Sequence, residues 1–309
     1  MRTHLFVSIM VVVLASLATA QQCTTQVAVN AFDSRTKNYI HGLTSADLQA
    51  ASGGHQLEIS SVNPVFRNRV LVLLDVSGHP GRETLDAAAE LVSQAPEEMP
   101  VAFGLFAGRA AFTHGFIKGF DPLSSAVHEL TAEADSLGNG NELPGALRQA
   151  LDLFGPHQPG DTILLVSNGR RHESRRAMQQ LRKDFRRSGA RLQLLTGLLP
   201  AASGRGNDAS LLFAGWALTQ NVSDDLIRLA NSTGGALMGF MNSDWLEAAS
   251  SGYMLSIVTP KMRSPQRWTL RVRDAGNDVP PADLFYPEQL APCTAPMIAA
   301  VPAKTKPRP

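Results

Sequence analysis

Asp75, Ser77 and His79 occupy alternate positions after the apolar run Val70-Leu71-Val72-Leu73-Leu74. An acid, a hydroxyl and an imidazole this close together suit two chemistries. One is cation binding through oxygen ligands; the other is nucleophilic attack by Ser77 with His79 as its base. The second is the weaker reading. Two residues on one loop, two positions apart, can face different directions, Ser77 lies in no Gly-x-Ser-x-Gly elbow, and the eight histidines show no zinc-protease spacing. No phosphate-binding glycine loop, cysteine cluster or nucleic-acid module is present. The expectation is therefore a protein without enzymatic activity and without nucleic acid as a partner, a hydrolase using Ser77 and His79 being the alternative.

A second group with chemical potential is basic: Arg170, Arg171, Arg175, Arg176, Arg182, Lys183, Arg186 and Arg187. At helical spacing the last six fall within an arc of roughly 140°, with Ala177, Met178, Leu181 and Phe185 on the opposite side. Such a helix packs one face and displays a cationic one, which suits an anionic partner such as an acidic protein or an anionic envelope component; a merely solvated face is the plainer alternative. Trp216, Trp245 and Trp268 read as packing residues.

The elements that must position these groups alternate between strand and helix. The apolar run reads as a fully buried strand, 69–75, whose C-terminal end delivers Asp75 to a loop. A helix over about 81–95, a strand at 101–106 with a hairpin partner at 111–117, and helices near 122–136 and 143–154 follow, the two helices being separated by Gly138-Asn139-Gly140-Asn141. Strand 162–167, a helix near 173–188, strand 191–198, helices near 209–219 and 223–231, a strand at 236–240 and a helix at 243–250 complete the alternation. This order predicts an α/β domain over 66–250, doubly wound, with a mostly parallel sheet covered by helices on both faces. Short β-like segments precede it (21–65, with a helical turn after Thr44 or Ser45) and follow it (251–291). Within the latter, 253–259 and 267–273 read as a hairpin, and the two flanking segments are expected to pair as a small β module. The proline-rich tail, 292–309, is expected to be disordered.

Residues 1–20 have the form of a cleavable signal peptide: Arg2 and His4 precede the apolar run Leu5 to Leu17, and Ala18-Thr19-Ala20 supplies the cleavage pattern. That run falls short of the roughly 20 residues a membrane span needs. Export to the periplasm or medium follows, with no transmembrane segment in the remaining chain. The net charge of +1 gives no whole-chain pull toward a charged partner, and 44% apolar residues are ample for a large core. Export permits Cys23 and Cys293 to form a disulfide closing a loop of roughly 270 residues, worth about 4–5 kcal/mol in the chain-entropy model; two free thiols are the alternative.

The segment Asp75-Val76-Ser77-Gly78-His79 resembles the Asp-x-Ser-x-Ser motif of von Willebrand factor A (VWA) domains, and the chain is similar to the secreted VWFA-related proteins abundant in Acidobacteria. Gly42 to Leu48 resembles that group's leader, and Ser251-Gly252-Tyr253-Met254-Leu255 and Asp283-Leu284-Phe285-Tyr286-Pro287 its C-terminal β segment. The resemblance implies a VWA, Rossmann-like fold and a metal site, the MIDAS, at Asp75, Ser77, His79, Asn141 and Asn168. His79 stands where the motif has its second Ser, Asn141 where it has Thr, and Asn168 in Ser167-Asn168-Gly169 where it has Asp. Mg²⁺ prefers oxygen ligands with one or two carboxylates. Asp75 alone carries charge here, Glu142 is the nearest substitute, and His79 suits zinc, copper or nickel better. The implied site is degenerate. The expected function is accordingly metal-independent protein binding through loops 75–82, 138–143 and 167–174 with no cofactor, Mg²⁺- or Ca²⁺-dependent adhesion being the alternative.

Overall fold

The computed structural model describes residues 22–36, 39–65, 69–77, 85, 92, 95–140, 142–158, 160–167, 174–196, 222–239, 252–273 and 281–292. In chain order the elements are β1 (Gln22–Asp33), β2 (Leu48–Ser52), β3 (His55–Val65), β4 (Val70–Asp75), β5 (Val101–Phe106), β6 (Ala110–Phe112), α1 (Phe120–Ala132), α2 (Leu143–Leu153), β7 (Thr162–Val166), α3 (Arg175–Ser188) and β8 (Arg191–Thr196). They continue with α4 (Asp224–Ser232), β9 (Leu237–Gly239), β10 (Gly252–Pro260), β11 (Gln266–Arg267), β12 (Thr269–Val272), β13 (Ala282–Phe285) and β14 (Gln289–Leu290). The helices expected at 81–95, 209–219 and 243–250, the signal peptide and the C-terminal tail lie largely or wholly outside the described residues.

β4 is apolar on both faces because both are covered. Val70, Val72 and Leu74 pack with Val101, Phe103 and Leu105 of β5 against Leu123, Val127 and Leu130 of α1. The intervening Leu71 and Leu73 pack on the other face against Leu147 and Leu151 of α2, Leu181 and Phe185 of α3 and Leu226 and Leu229 of α4. A strand with period-two side chains needs apolar residues at every position in such a sandwich. The strands order β6-β5-β4-β7-β8-β9, all parallel except β6, which returns antiparallel along β5. This is a doubly wound α/β sheet whose strand order reverses between β4 and β7, where such sheets open a crevice beyond their strand ends.

The remaining strands form an antiparallel sheet of order β12-β2-β3-β10-β1-β13, with β11 paired to β14 beside it. β10 is central, with β1 on one side and β3 on the other. The expected hairpin of 253–259 with 267–273 therefore does not form: both edges of β10 are taken, and β12 pairs with β2 instead. The turn expected after Thr44 is a single one, closed by the Asp47 amide donating to the Thr44 carbonyl at 3.2 Å. The Thr44 amide and hydroxyl both donate to Asp47 Oδ2, at 2.7 and 2.6 Å, closing a tight turn that leads directly into β2. Cys23 in β1 is disulfide-bonded. The chain holds one other cysteine, Cys293, outside the described residues.

Where the two sheets meet, Arg191 at the start of β8 is fully buried. Its Nη1 donates to Asn30 Oδ1 of β1, and Nη2 donates to Thr162 Oγ1 at 3.0 Å and to the Gly160 carbonyl at 3.4 Å. Burial pushes its guanidinium down to about 10, so it stays charged at neutral pH. Asp161, also buried, is gripped by Arg69 at 2.9 and 2.6 Å, and Arg69 lies 5.3 Å from the centroids of both Phe116 and Phe154. Arg191→Ala leaves Asn30 and Thr162 without their buried donor. It is expected to lower the unfolding free energy by about 3–5 kcal/mol, read from the urea midpoint, with Arg191→Lys falling between it and the wild type.

Candidate functional site

The register of the parallel sheet determines which side chains meet at the crevice. Leu74 of β4 pairs with Val166 of β7, so Asp75 and Ser167, the next residue on each strand, emerge side by side at the C-terminal edge. Ser167 Oγ donates to Asp75 Oδ2 at 2.7 Å. The Ser77 amide and hydroxyl donate to Asp75 Oδ1 at 2.9 and 2.5 Å, an Asx-type turn that folds the loop back over the strand end. Both carboxylate oxygens thus accept hydrogen bonds from neighbouring loops, in a half-buried setting.

The next loops close the crevice from the β5 side. Val76 N donates to the Phe106 carbonyl at 2.9 Å, and Glu142 N donates to the Ala107 carbonyl at 2.8 Å, setting the N-terminus of α2 beside the end of β5. Gly108 and Gly140 approach so closely that a Cβ on Gly140 would lie 2.7 Å from Gly108 Cα. Only glycine fits such a backbone contact. Arg109 locks the same contact, donating from its amide to the Leu137 carbonyl at 3.1 Å and from its guanidinium to the Ser136 carbonyl and hydroxyl at 3.2 and 3.1 Å.

Of the five positions implied by the VWA motif, Asp75 and Ser77 are described and touch each other; His79, Asn141 and Asn168 lie outside the described residues. Ser167, which the motif reading quoted without a role, joins them directly. Its signal was its position, one residue beyond a buried strand that pairs in register with β4. The described oxygen donors are one carboxylate and two hydroxyls. They offset one unit of a divalent ion's charge, and the carboxylate is already engaged by the hydroxyls, so this set alone does not fit a resident Mg²⁺. Among the described residues no group of three His, Cys, Asp or Glu side chains could hold a metal.

The cationic residues sort by position. Arg170 and Arg171 lie outside the described residues, whereas Arg175, Arg176, Lys183, Arg186 and Arg187 are exposed on α3 and Arg182 is half-buried. The helix starts on a Ser174 cap, whose Oγ accepts from Ala177 N at 3.2 Å, and ends on Gly189 in the left-handed region. Met178, Leu181 and Phe185 are buried beneath it. Asp184, the one acid on the helix, lies 3.6 Å from Arg148 and 3.7 Å from Arg187, and Arg186 lies 3.6 Å from Glu288.

No family model and no curated protein matches the chain. Among solved structures it is similar to an aerotolerance-related membrane protein of Bacteroides fragilis, with 21% identity and a TM-score of 0.42 over 59% of this chain and 96% of that one. A von Willebrand factor type A protein of Catenulispora acidiphila gives 12% and 0.43 over 90% and 76%, and the manganese-loaded TRAP protein of Plasmodium vivax gives 11% and 0.37 over 74% and 96%. Strand order and register define the fold.

The Asp75 cluster makes a direct prediction. Ser167→Ala and Ser77→Ala each remove a hydroxyl from a carboxylate and should each lower stability by about 1–3 kcal/mol. Because both act on one carboxylate, the double variant should deviate from additivity by at least about 0.5 kcal/mol in urea denaturation.

Proposed function

We propose that this chain is an exported VWA-like protein-binding module without enzymatic activity, which engages its partner directly through the loops around Asp75, Ser77, 138–142 and Ser167 and needs no bridging metal. One observation carries the reading: the Asp75 carboxylate, the acid at the topological switch point, is engaged on both oxygens by Ser77 and Ser167. The cluster braces two loops instead of presenting a charged ligand. Asn141 and Asn168, neutral by sequence, add no charge to it. The Ser77 proton goes to Asp75, which gives the hydroxyl a structural partner and weighs against the hydrolase alternative. Arg175 and Arg176, exposed on the first turn of α3, supply a positive field on the crevice side and favour a partner with an acidic surface.

Export rests on residues 1–20, and no helix among the described residues is long and apolar enough to cross a membrane. Membership of the secreted VWFA-related group rests on the order of the motifs around Gly42, Asp75 and Tyr286.

Calorimetric titration of Mg²⁺, Mn²⁺ and Zn²⁺ into the purified chain tests the metal-independent reading. No saturable heat is expected at micromolar to millimolar metal. Micromolar uptake that Asp75→Ala abolishes would establish the cation-dependent adhesion module instead.

A further inference from the structure

The geometry points to a second binding site, apart from the crevice: the open cleft where the β module meets the end of α4 takes an uncharged oligosaccharide. The cleft holds about 800 Å³, within the range of ligand pockets, and four parts of the chain line it. They are the β2–β3 turn at Gly53 and Gly54, residues 267–269, the run 284–288 after and within β13, and Asn231 of α4. The base is fixed. The Glu288 amide donates to the Ser232 carbonyl at 3.3 Å, and Thr233 bridges to Pro287. Thr233 Oγ1 in turn accepts from the Leu192 amide at 2.9 Å, near the start of β8. The cleft therefore borders the N-terminal edge of the parallel sheet, the opposite edge from Asp75.

The lining selects the chemistry of the occupant. Its charged groups are one arginine, Arg267, and one acid, Glu288, so their formal charges cancel and no field selects an ion. Both are exposed, and Glu288 is held only loosely, 3.6 Å from Arg186. With the amide of Asn231 they offer donors and acceptors together, which is what vicinal hydroxyls need. Apolar contact comes from Phe285 and Tyr286, both half-buried, so part of each ring stays open. Neither ring has to be ordered on binding. The Tyr286 hydroxyl accepts from the Leu270 amide at 3.0 Å, and its ring stands edge-on to Trp268 at 4.9 Å. Trp268 Nε1 is itself tied to the Pro287 carbonyl at 2.7 Å, and Phe285 packs edge-on to Phe32 at 5.8 Å. The C–H face of a pyranose ring is apolar and weakly positive, the complement of an aromatic face. A peptide strand matches less well, because β12 has β2 on one side and the 286–290 segment on the other, where β11 pairs with β14. A wholly apolar ligand would strip water from Arg267 and Glu288 without replacing it.

The test is calorimetric titration of the purified chain with the linear hexaoses of β-1,4-glucose, α-1,4-glucose and β-1,4-N-acetylglucosamine, with hexaglutamate and hexalysine as charged peptide controls. At least one sugar is expected to bind saturably, with a Kd that does not change between about 50 and 500 mM salt, while neither peptide binds. Arg267→Ala and Asn231→Ala alter exposed side chains and should each raise that Kd at least about fivefold. Phe285→Leu keeps an apolar contact on Phe32 but removes the ring face, and should do the same. Absence of saturable binding by all three sugars, binding that salt abolishes, binding of either peptide, or a Kd unchanged in all three variants would overturn the proposal. The wild-type comparison of sugars with peptides stands even where a variant fails to fold by circular dichroism. Asp75, Ser77 and Ser167 are intact throughout, so the result is independent of the crevice reading.

Discussion

The burial of Arg191 constrains the rest of the molecule. A charged guanidinium with no solvent exposure survives only where its surroundings supply acceptors at fixed positions. Those acceptors come from two places far apart in sequence: Asn30 on β1, and Gly160 and Thr162 at the start of β7. Satisfying one side chain thus docks the first strand of the β module onto the α/β sheet. The seam is extended by the Glu288 amide donating to the Ser232 carbonyl at 3.3 Å and by the bridge between Thr233 and Pro287. Gly252 belongs to the same seam, since a Cβ there would lie 2.8 Å from Asn30 Oδ1 and 3.1 Å from Arg191 Nη1.

This constraint separates the two edges of the parallel sheet. Arg69, Asp161 and Arg191 all sit at its N-terminal edge, where buried charge is matched by buried charge or by fixed acceptors. The C-terminal edge carries Asp75 with two serines and a glycine–glycine contact. The loops at the second edge are held by hydrogen bonds to the one Asp75 carboxylate and by close backbone packing. Such loops on a rigid scaffold are where recognition concentrates.

Local periodicity made much of the α/β sheet readable. β4, β5, β7 and β8 are apolar runs of strand length, and α2 and α3 carry a clear helical face. Pairing of the two flanking segments was expected, but which strand lies beside which was not. Tyr253 to Thr259 and Arg267 to Arg273 alternate as a hairpin would, but alternation reports which face is buried and not which strand lies alongside. Here partners more than 185 residues away in sequence, on β1 and β3, occupy both sides of β10. Arg191 was illegible for the same reason. At the head of a strand an arginine reads as solvated, and its burial depends on Asn30, 161 residues distant. In the candidate site, the Asp75 to Ser77 turn is local and was visible in the motif, whereas the role of Ser167 required the register between β4 and β7.

The near-zero net charge conceals an uneven division of labour between acids and bases. Several carboxylates are occupied within the fold. Asp161 is committed to Arg69, Asp75 to its serines and Asp184 to Gln180 and neighbouring arginines. The backbone amides of Thr36 and Arg35 hold the Asp33 carboxyl below its usual range, and the Thr44 hydroxyl and amide do the same to Asp47. Cations on α3 and along 267–273 are instead displayed on exposed faces. Screening over roughly 8–10 Å at physiological salt makes local excess, and not the whole-chain sum, the quantity that an approaching partner senses. A chain of net charge +1 can therefore present a local positive surface such as the exposed face of α3.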